Sequence, residues 1–427
     1  NYIKRLVGLP GEELKISGGD VWVRPLAGEE NGIYRIPRKA PEKQRHLQLL
    51  VHDNDCPATR LLETGWPESW APVDPEATGW VADGKTRAFR ADPITPGDDR
   101  EDWIRYSHYI PAAADWSRAE AKTKPQSLPK PQLITDFYAY NNRITVGDYD
   151  DWVRRNEIPR QDSALWVGDL TLTCTVEVFT AGGEAIFELV EGQRRYRCSI
   201  DLTTGRAQLA YLPEMNGGED SWIPAGDPFE TGMNKPTKYA VSFANVDDRL
   251  CVWVDDRLVK SVEFEEDSVK FPLQFRPIRP SEADKTPVGI GVRGAKLRVS
   301  NLKIERDIYY SPEPQGMQPD HDLFFTLHDD PADDRNDEFL MLGDNSPRSN
   351  DSRLWAPPHT VSRHLLIGKA FFVYWPHGVP FLNDGRGFPI GKYYEPRRPG
   401  SDEPPGPPLP KFSVPFYPNV GRMHRIR

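Results

Sequence analysis

Residues 239–254 read YAVSFANVDDRLCVWV, which is two apolar segments on either side of the polar stretch 245–249. In the first segment large apolar side chains alternate with small or polar ones, and a period of two is typical of a strand with one face in a core. Asn and Asp in the polar stretch are common turn residues because their side chains bond to the nearby backbone. The sequence therefore predicts a β-hairpin, followed by a second turn at Asp255-Asp256 and a strand at Leu258-Val259.

The same pattern repeats on both sides of this hairpin. Apolar segments of strand length, separated by Gly or polar turns, occur at residues 170–179, 185–190, 196–202, 207–212, 288–292 and 297–304. Many short strands spaced about 8–12 residues apart are typical of an all-β sandwich or jelly roll.

This middle part of the chain resembles the concanavalin A-like lectin and glucanase sandwiches. The resemblance lies in the run 239–243 (YAVSF), in the strand 251–254 (CVWV) with its Asp-Asp turn, and in the closing strand 299–304 (VSNLKI). It implies a sandwich fold and leaves the function open, because one fold serves many functions.

Length and composition agree with a multidomain chain that is mostly β. The 427 residues exceed the roughly 250–300 at which a single core stops growing, and 42 Pro with 33 Gly favour turns over long helices. A net charge of −10 gives no support to nucleic-acid binding. The acidic pairs at 329–330 and 333–334 are expected to be solvated loops rather than metal cages.

The four cysteines, at positions 56, 174, 198 and 251, stand singly, without the C-x-x-C spacing of a zinc or redox site. Free thiols are therefore expected. One disulfide is the alternative if the chain faces an oxidising compartment.

The segments that flank the sandwich are less regular. Residues 1–25 predict two strands joined by tight turns. Residues 26–135 are Pro-rich, and most of their strand candidates, at 48–52, 86–90 and 103–109, are expected to be peripheral. After the sandwich we expect strands at 338–342 and around 371–375, and a Pro-rich tail at 395–418 with little regular structure.

Lys4 lies in an apolar segment at the start of the chain, YIKRLVGLPGE at residues 2–12. Burial disfavours the charged ammonium, and a lysine that becomes neutral in this way can act as a general base. The alternative is an edge-strand lysine that points to water.

A second polar segment follows the strand predicted at 338–342, and residues 343–355 read GDNSPRSNDSRLW. Asp351 in this segment is able to pair bidentately with Arg353 or with Arg5. The alternative is a turn whose Asn, Asp and Ser side chains only satisfy their own backbone.

Taken together, the two segments resemble the conserved boxes of type I bacterial signal peptidases, Y-I-K-R-x-V-G-L-P-G-[DE] and G-D-N-x-x-x-S-x-D-S-R-x-W, in the same order. Residues 366–375 (LIGKAFFVYW) also look like the closing strand of that family. The resemblance covers about 25 residues at the start of the chain and about 45 residues from Glu338 onward. It implies a β catalytic domain that is split by the sandwich.

The resemblance implies a role for each matching residue. Lys4 corresponds to the general base that takes the proton of the nucleophilic serine, and Ser349 to the serine that orients this lysine. Asp351 corresponds to the carboxylate that pairs with Arg5 and Arg353 and braces the site. Gly343, Asp344 and Asn345 correspond to the start of the loop that shapes the cleft beside the lysine.

The chain departs from the family's pattern in two ways. Arg348 replaces the Asn of many members, so a contact by that side chain is not expected to carry over. The family's nucleophilic serine lies upstream of the lysine, in a Met-x-Pro-Ser turn after a membrane helix, and Lys4 is preceded by residues 1–3 alone. No apolar stretch here reaches the roughly 18 residues that span a bilayer. We therefore expect the sequence to be part of a longer protein, and inactive by itself.

The resemblance further implies a serine endopeptidase with a Ser/Lys dyad, held in the bacterial cytoplasmic membrane with its catalytic domain on the periplasmic or extracytoplasmic face. Its substrates are secretory preproteins, cleaved after small residues. No metal or cofactor is expected. The expected divisions are a first catalytic part (1–25), an irregular Pro-rich part (26–135), the sandwich (136–310), a second catalytic part (311–394) and a Pro-rich tail (395–427).

A second hypothesis is a carbohydrate-binding or adhesion module that carries the protease segments as relics. The aromatic candidates for a glycan site are Trp222, Trp253 and Tyr211, and the alternative for each is packing in the core or against a hairpin. Docking of a protein partner, recognition of an unusual substrate and bracing of the catalytic domain are further roles for the sandwich. A self-cleaving Ser/Lys regulator is a third hypothesis, although those proteins lack the second box.

Overall fold

The computed structural model of the protein describes residues 3–27, 33–93, 100–136, 165–213, 222–264, 279–311, 322–346, 349–370, 372–373, 378–382, 388–393, 409–418 and 424–425. The prediction of a mostly β fold is confirmed, and the three α-helices are short. The chain forms two compact units, one of residues 2–365 and one that contains residues 366–427. The divisions expected from the sequence stay a prediction.

The strands are numbered in chain order. They are β1 (Arg5–Gly8), β2 (Glu12–Ser17), β3 (Asp20–Pro25), β4 (Leu49–Asp53), β5 (Trp70–Pro72), β6 (Trp80–Asp83), β7 (Ala88–Ala91), β8 (Glu101–Tyr106), β9 (Leu170–Val178), β10 (Glu184–Glu191), β11 (Arg194–Asp201), β12 (Arg206–Leu212), β13 (Ile223–Pro224), β14 (Phe229–Glu230), β15 (Lys238–Asn245), β16 (Arg249–Val254), β17 (Arg257–Glu263), β18 (Val288–Arg293), β19 (Leu297–Arg306), β20 (Leu323–Thr326), β21 (Glu338–Leu342), β22 (Val361–Ser362), β23 (Phe372–Val373), β24 (Gly378–Pro380), β25 (Phe388–Tyr393), β26 (Leu409–Val414), β27 (Phe416–Pro418) and β28 (His424–Arg425).

The helices are α1 (Pro41–Leu47), α2 (Thr59–Glu63) and α3 (Ala113–Glu120), with single 3-10 turns at Glu282–Lys285, Asp334–Asn336 and Arg363–Leu365. Within the described ranges, no helix has the length and apolar character needed to cross a membrane.

Two eight-stranded antiparallel sheets form the predicted sandwich. One has the order β13-β12-β11-β10-β18-β8-β5 with β14 added on β12, and the other has the order β17-β16-β15-β9-β19-β7-β6 with β4 added on β19. Alternate residues of each strand point inward, so that Phe187 of β10 and Phe243 of β15 lie in one shared core. The alternation in the sequence reports that one face of each strand is buried.

The hairpin predicted from residues 239–254 is β15 and β16, paired from Val241 opposite Val254 to Asn245 opposite Leu250. Its turn contains Asp247 and Asp248 with φ of 54° and 52°, in the left-handed region. Asp tolerates this conformation better than most residues because its short side chain bonds locally. The predicted turn at Asp255-Asp256 has the same geometry.

The strand candidates at 48–52, 86–90 and 103–109 correspond to β4, β7 and β8, and here the structure differs from the expectation of peripheral strands. β8 pairs with β18 over six residues, from Glu101 opposite Arg293 to Tyr106 opposite Val288, and with β5 on its other side. β7 and β8 lie inside the sheets and supply the buried side chains Phe89 and Ile104 to the shared core, whereas β4 is added on β19 and packs the partly buried Val51 against that core.

A second, smaller β region joins the two ends of unit 2–365. It contains the sheets β1-β21-β22 and β20-β2-β3. Its core combines residues that lie far apart in sequence, namely Leu14, Ile16, Ile308, Tyr310, Phe325, Leu327, Leu340 and Leu342. The start of the chain is thus packed against the segment that follows the sandwich.

Lys39 fastens this region to the sandwich. Its Nζ lies 2.9 Å from Asp247 Oδ2, in the β15–β16 turn, and 2.8 Å from Asp307 Oδ2, just after β19. Arg38 donates from Nε to the Asp247 carbonyl at 2.7 Å. The β15–β16 turn and the end of β19 are therefore held near each other by ion pairs through Lys39.

In the unit that contains residues 366–427, β23 pairs with β28, β24 with β27 and β25 with β26. The expectation of little regular structure at 395–418 was wrong for β26 and β27. Each ladder has two strands, so every strand keeps one unpaired edge where a proline removes no bond. Of the strand expected around 371–375, residues 372–373 are described and form β23.

All four cysteines lie in the described part of the chain and are free thiols, with Cys56 exposed and the other three buried. The acidic pairs near residue 330 form loops that bond to themselves: Asp330 accepts from Ala332 N, and Asp333 accepts from Arg335.

We expect Leu14→Ala to lower the local stability of the smaller β region by about 2–5 kcal/mol, because the side chain is fully buried and its removal leaves a cavity. Leu6→Ala is the matched control, since Leu6 is 45% exposed and a surface substitution changes stability by about 0.5 kcal/mol or less. Amide hydrogen exchange of peptides from β1 to β3 measures the difference. Equal protection in both variants would contradict this core.

Candidate active site

The β1–β21 ladder brings the two predicted site segments together. Arg5 pairs with Leu342 and Leu6 with Met341, so the same register continues to Lys4 opposite Gly343. The loop after Gly343 then turns back over the first strand. The short β1 strand therefore sets the position of Lys4 against the loop that carries Ser349.

Lys4 and Ser349 form a hydrogen bond, with Lys4 Nζ donating to Ser349 Oγ at 2.7 Å. Ser349 is buried, and Lys4 is half-buried. Burial lowers the pKa of Lys4, and the nearby Arg353 adds to this effect, against the raising influence of Asp351 and Asp344. The structure thus favours a desolvated lysine over a lysine that points freely to water.

Gly343 leaves the space in which this hydrogen bond forms. A Cβ at this position would lie 2.0 Å from Ser349 Oγ and 3.1 Å from Lys4 Nζ. A side chain on residue 343 would therefore displace the serine hydroxyl from the lysine. The supporting role expected for Gly343 has this steric basis.

Asp351 and Arg353 form a fully buried ion pair beside Ser349. Arg353 donates from Nε to Asp351 Oδ1 at 2.9 Å and from Nη2 to Asp351 Oδ2 at 2.7 Å. Asp351 Oδ2 also accepts from Gly343 N at 2.9 Å, and the Ser349 side chain bonds to the same carboxylate. Burial by itself would raise the pKa of Asp351, but these partners together hold it below its usual value.

Arg5 differs from the expectation that it pairs with Asp351. Its guanidinium instead bonds to Asp344, with Nη2 donating to Oδ2 at 2.9 Å. Neighbouring residues of a strand point to opposite faces, so Arg5 is directed away from the face that Lys4 shares with Ser349 and Asp351. The pair is partly exposed, so solvent screens it and it contributes little to stability.

Asn345 is half-buried, and its Oδ1 has no hydrogen-bond partner among the described residues. Tyr2 and Arg348 lie outside the described residues. Of the predicted site residues, the structure therefore brings Lys4, Gly343, Ser349, Asp351 and Arg353 into one cluster, with Arg5 and Asp344 paired at its edge.

Two residues of this cluster were missed by sequence reasoning. Ser346 and Ser311 both contact the Arg353 guanidinium, through Ser346 Oγ at 2.7 Å and the Ser311 carbonyl at 2.9 Å. Ser346 falls on a variable position of the second box, and Ser311 lies more than thirty residues upstream. Neither carries a signal in the sequence that would have indicated this contact.

The aromatic candidates for a glycan site differ in burial. Trp253 and Tyr211 are 1% and 2% exposed. Tyr211 belongs to the sandwich core, whereas Trp253 packs with Ala244, Val246 and Cys251 in a separate cluster on the β15–β16 hairpin, so each has a packing role. Trp222 is half-buried and stacks on Arg197, whose guanidinium carbon lies 4.3 Å from the ring centroid.

One acidic cluster outside this site has the spacing of a metal site. Asp20, Asp169 and Asp247 each place an oxygen within 4.8 Å of the others. Burial and the neighbouring carboxylates raise the pKa of Asp20 and Asp169, and Lys39 already pairs with Asp247. The arrangement fits an ion-pair cluster at the junction with the sandwich.

Comparison with known proteins gives one family match. Residues 289–375 match the family described as signal peptidase, peptidase S26, and this range contains Ser349, Asp351 and Arg353. Lys4 lies outside the matched range. No curated protein matches the chain.

Several solved structures are similar to the chain. They include a carbohydrate-binding module from Bacillus subtilis, with 13% identity and a TM-score of 0.29, covering 56% of this chain and 95% of that one. A galectin from Caenorhabditis elegans has 13% identity and a TM-score of 0.23, covering 34% and 87%. A protein of unknown function with a galectin-like fold from Bacillus subtilis has 6% identity and a TM-score of 0.33, covering 61% and 98%. Similarity of this strength says nothing about what the sandwich binds.

We expect Lys4 to react with an acylating reagent at lower pH than an exposed lysine such as Lys124, because its lowered pKa leaves more neutral amine. Peptide-resolved mass spectrometry over a pH series measures both residues in one sample. Gly343→Ala should abolish the difference, since the added Cβ displaces Ser349 from the amine. Equal reactivity of both lysines in the unmodified protein would show that Lys4 is not desolvated.

Proposed function

We propose that the chain is the lysine-bearing part of a membrane-bound Ser/Lys endopeptidase of the signal peptidase I type, which removes signal peptides from secretory preproteins. The observation that carries the proposal is the hydrogen bond from Lys4 Nζ to Ser349 Oγ, between segments at opposite ends of unit 2–365. The family match over residues 289–375 supports it.

In this proposal Lys4 is the general base. Its lowered pKa increases the fraction of neutral amine, which is the form that accepts a proton. Ser349 bonds to Asp351, a carboxylate that only accepts, so the serine hydroxyl proton points to Asp351 and the serine oxygen accepts from Lys4. The lone pair of the Lys4 nitrogen is thereby left free for the proton of a nucleophilic hydroxyl.

The reaction then follows the Ser/Lys form of nucleophilic catalysis. Lys4 takes the proton of the serine hydroxyl as its oxygen attacks the scissile carbonyl, and the ammonium returns this proton to the leaving amine. Water, deprotonated by Lys4, releases the acyl group from the serine. The family resemblance implies that the nucleophile and the oxyanion donors precede Lys4 in the longer protein. No step needs a metal or a cofactor.

The proposal includes a location and a substrate class, both from the family resemblance. The catalytic domain works on the periplasmic or extracytoplasmic face of the bacterial cytoplasmic membrane, attached by a helix upstream of the serine. Its partners are preproteins with small residues before the cleavage site.

We expect Lys4→Ala to lower the rate of preprotein cleavage by at least about a thousandfold in the protein with its upstream sequence, because the general base is lost. Lys4→Arg should be as inactive, since a guanidinium is not deprotonated in proteins. Lys15→Ala is the matched control, because Lys15 lies in β2 of the same region and stacks on Trp22 at 5.2 Å. Cleavage at the normal rate by Lys4→Ala would refute the proposal.

A second candidate function, carbohydrate binding by the sandwich, is favoured by the outward face of the sheet that contains β8, β10, β11 and β18. Glu188 of β10 is fully buried and accepts from Arg197 Nε at 2.7 Å and from Arg105. The Arg197 guanidinium carbon lies 5.0 Å from the centroid of Trp103. With Trp222 on the same guanidinium, fixed donors, acceptors and aromatic faces lie side by side, which is the chemistry of a sugar site.

The backbone of β18 is shaped to accept Trp103. A Cβ on Gly291 would lie 2.8 Å from the Trp103 ring, and one on Gly289 would lie 3.2 Å from it. The two glycines therefore let the ring lie flat against the sheet. A face that only carried ion pairs would not require this space.

We expect Trp222→Ala to weaken binding of a glycan to the sandwich about fivefold, because a stacked aromatic contributes about 1 kcal/mol. Trp116→Ala is the matched control, since Trp116 is 40% exposed and lies on α3, outside the sheet that carries this array. A printed glycan array identifies the ligand, and titration calorimetry compares the variants. Absence of any bound glycan, or equal loss in both variants, would count against this function.

A further inference from the structure

The guanidinium of Arg353 is enclosed on every side by hydrogen-bond acceptors. The side chain is fully buried and makes two bonds to Asp351, described above. It makes three more: Nη1 donates to Ser346 Oγ at 2.7 Å and to the Ser311 carbonyl at 2.9 Å, and Nη2 donates to the Ser346 carbonyl at 3.0 Å. All five donors of the guanidinium are matched, so its orientation is determined by these three residues.

Ser346 contributes to this arrangement twice, through its side chain and its carbonyl. Its hydroxyl oxygen also accepts from Ser311 N at 3.0 Å, and the residue is 1% exposed. One buried hydroxyl thus joins the Arg353 side chain to the backbone of the segment that follows β19. Ser346 contacts neither Lys4 nor Ser349 directly.

A continuous chain of bonds leads from Ser346 to the lysine. Arg353 holds both oxygens of Asp351, and Asp351 in turn bonds to Gly343 N and to the Ser349 side chain. Ser349 Oγ accepts from Lys4 Nζ. Rotation of the Arg353 guanidinium would therefore move the carboxylate that orients the Ser349 hydroxyl.

We infer that Ser346 is a positioning residue for the Lys4–Ser349 pair, acting through Arg353 and Asp351. This inference rests on the proposed function for its catalytic meaning and goes beyond it in assigning a residue that the family resemblance leaves without a role. Ser346 keeps Asp351 directed at Ser349, so that the serine accepts from Lys4 instead of donating to its lone pair.

Loss of the Ser346 hydroxyl has a direct electrostatic consequence at Lys4. Without it, Arg353 Nη1 loses one acceptor and Ser311 N loses its partner, and buried donors of this kind draw in water or shift toward other acceptors. Arg353 is one of the groups that lower the pKa of Lys4. Displacement of its charge, together with added water, brings the pKa of Lys4 closer to that of an ordinary lysine.

The test measures the pH dependence of Lys4 acylation in this chain, so it needs no cleavage assay. In Ser346→Ala we expect the reactivity of Lys4 at pH 8 to fall about threefold, because a higher pKa of Lys4 leaves less neutral amine at that pH. Ser346→Thr retains the hydroxyl, so Lys4 should titrate in this variant as it does in the unmodified protein. If Ser346→Ala does not fold, Ser346→Cys replaces it, because a thiol of similar size is a weaker acceptor.

Ser352→Ala is the matched control. Ser352 is also fully buried in this loop, and its Oγ accepts from Met341 N at 2.9 Å, but it has no bond to Arg353 or Asp351 within the described ranges. Its loss should destabilise the protein to a similar degree and leave the titration of Lys4 unchanged. Thermal unfolding of both variants measures the stability part of the comparison.

Two outcomes would overturn the inference. In the first, Ser346→Ala loses stability like Ser352→Ala while Lys4 titrates normally, which would make Ser346 structural only. In the second, Ser352→Ala shifts Lys4 as much as Ser346→Ala does, so that the shift reports general loosening of the loop. Failure of the proposed function is a separate result, because normal cleavage by Lys4→Ala would leave the measured Lys4 titration in place.

Discussion

The antiparallel pairing of β1 with β21 is the interaction on which the rest of the candidate site depends. It joins the start of the chain to a strand more than three hundred residues later and places Lys4 opposite Gly343. Closing so long a loop costs little more than closing a shorter one, because the entropy cost grows only with the logarithm of its length. The folded sandwich reduces the cost further, since Lys39 ties its turn at Asp247 to its exit at Asp307.

The two buried charges of the site, Asp351 and Arg353, are paired with each other, whereas the amine of Lys4 has no charged hydrogen-bond partner among the described residues. Asp351 and Arg353 tolerate full burial because every donor of the guanidinium has an acceptor, which offsets the cost of removing both charges from water. Lys4 has no carboxylate within bonding distance among the described residues, and it donates to the neutral hydroxyl of Ser349. Burial without a carboxylate partner distinguishes this potential base from the structural ion pair of Asp351 and Arg353.

The sandwich is connected to the site by covalent continuity and by hydrogen bonds. β19 ends at Arg306, and a few residues later Ser311 bonds to both Arg353 and Ser346. Tyr310, on the same segment, is part of the core of the smaller β region. The segment that leaves the sandwich therefore forms one wall of the site, and hydrogen bonds of Ser311 fix it to Arg353 and Ser346.

Periodicity in the sequence was sufficient to determine the strands of the sandwich and their turns, because alternation records which face of a strand is buried, and Asp residues mark positive φ. Motif resemblance was sufficient to single out Lys4, Ser349, Asp351 and Arg353. Only the tertiary structure decided that β4, β7 and β8 join the two sheets, that Arg5 turns to Asp344, and that Ser346 and Ser311 complete the surroundings of Arg353. These are contacts between residues far apart in the chain, and a local pattern contains no information about which distant strand or acceptor will be adjacent. The alternation of apolar and polar neighbours in the sequence tells which face of the sheet a strand residue points to. Its partner on the adjacent strand depends on the register of the whole sheet.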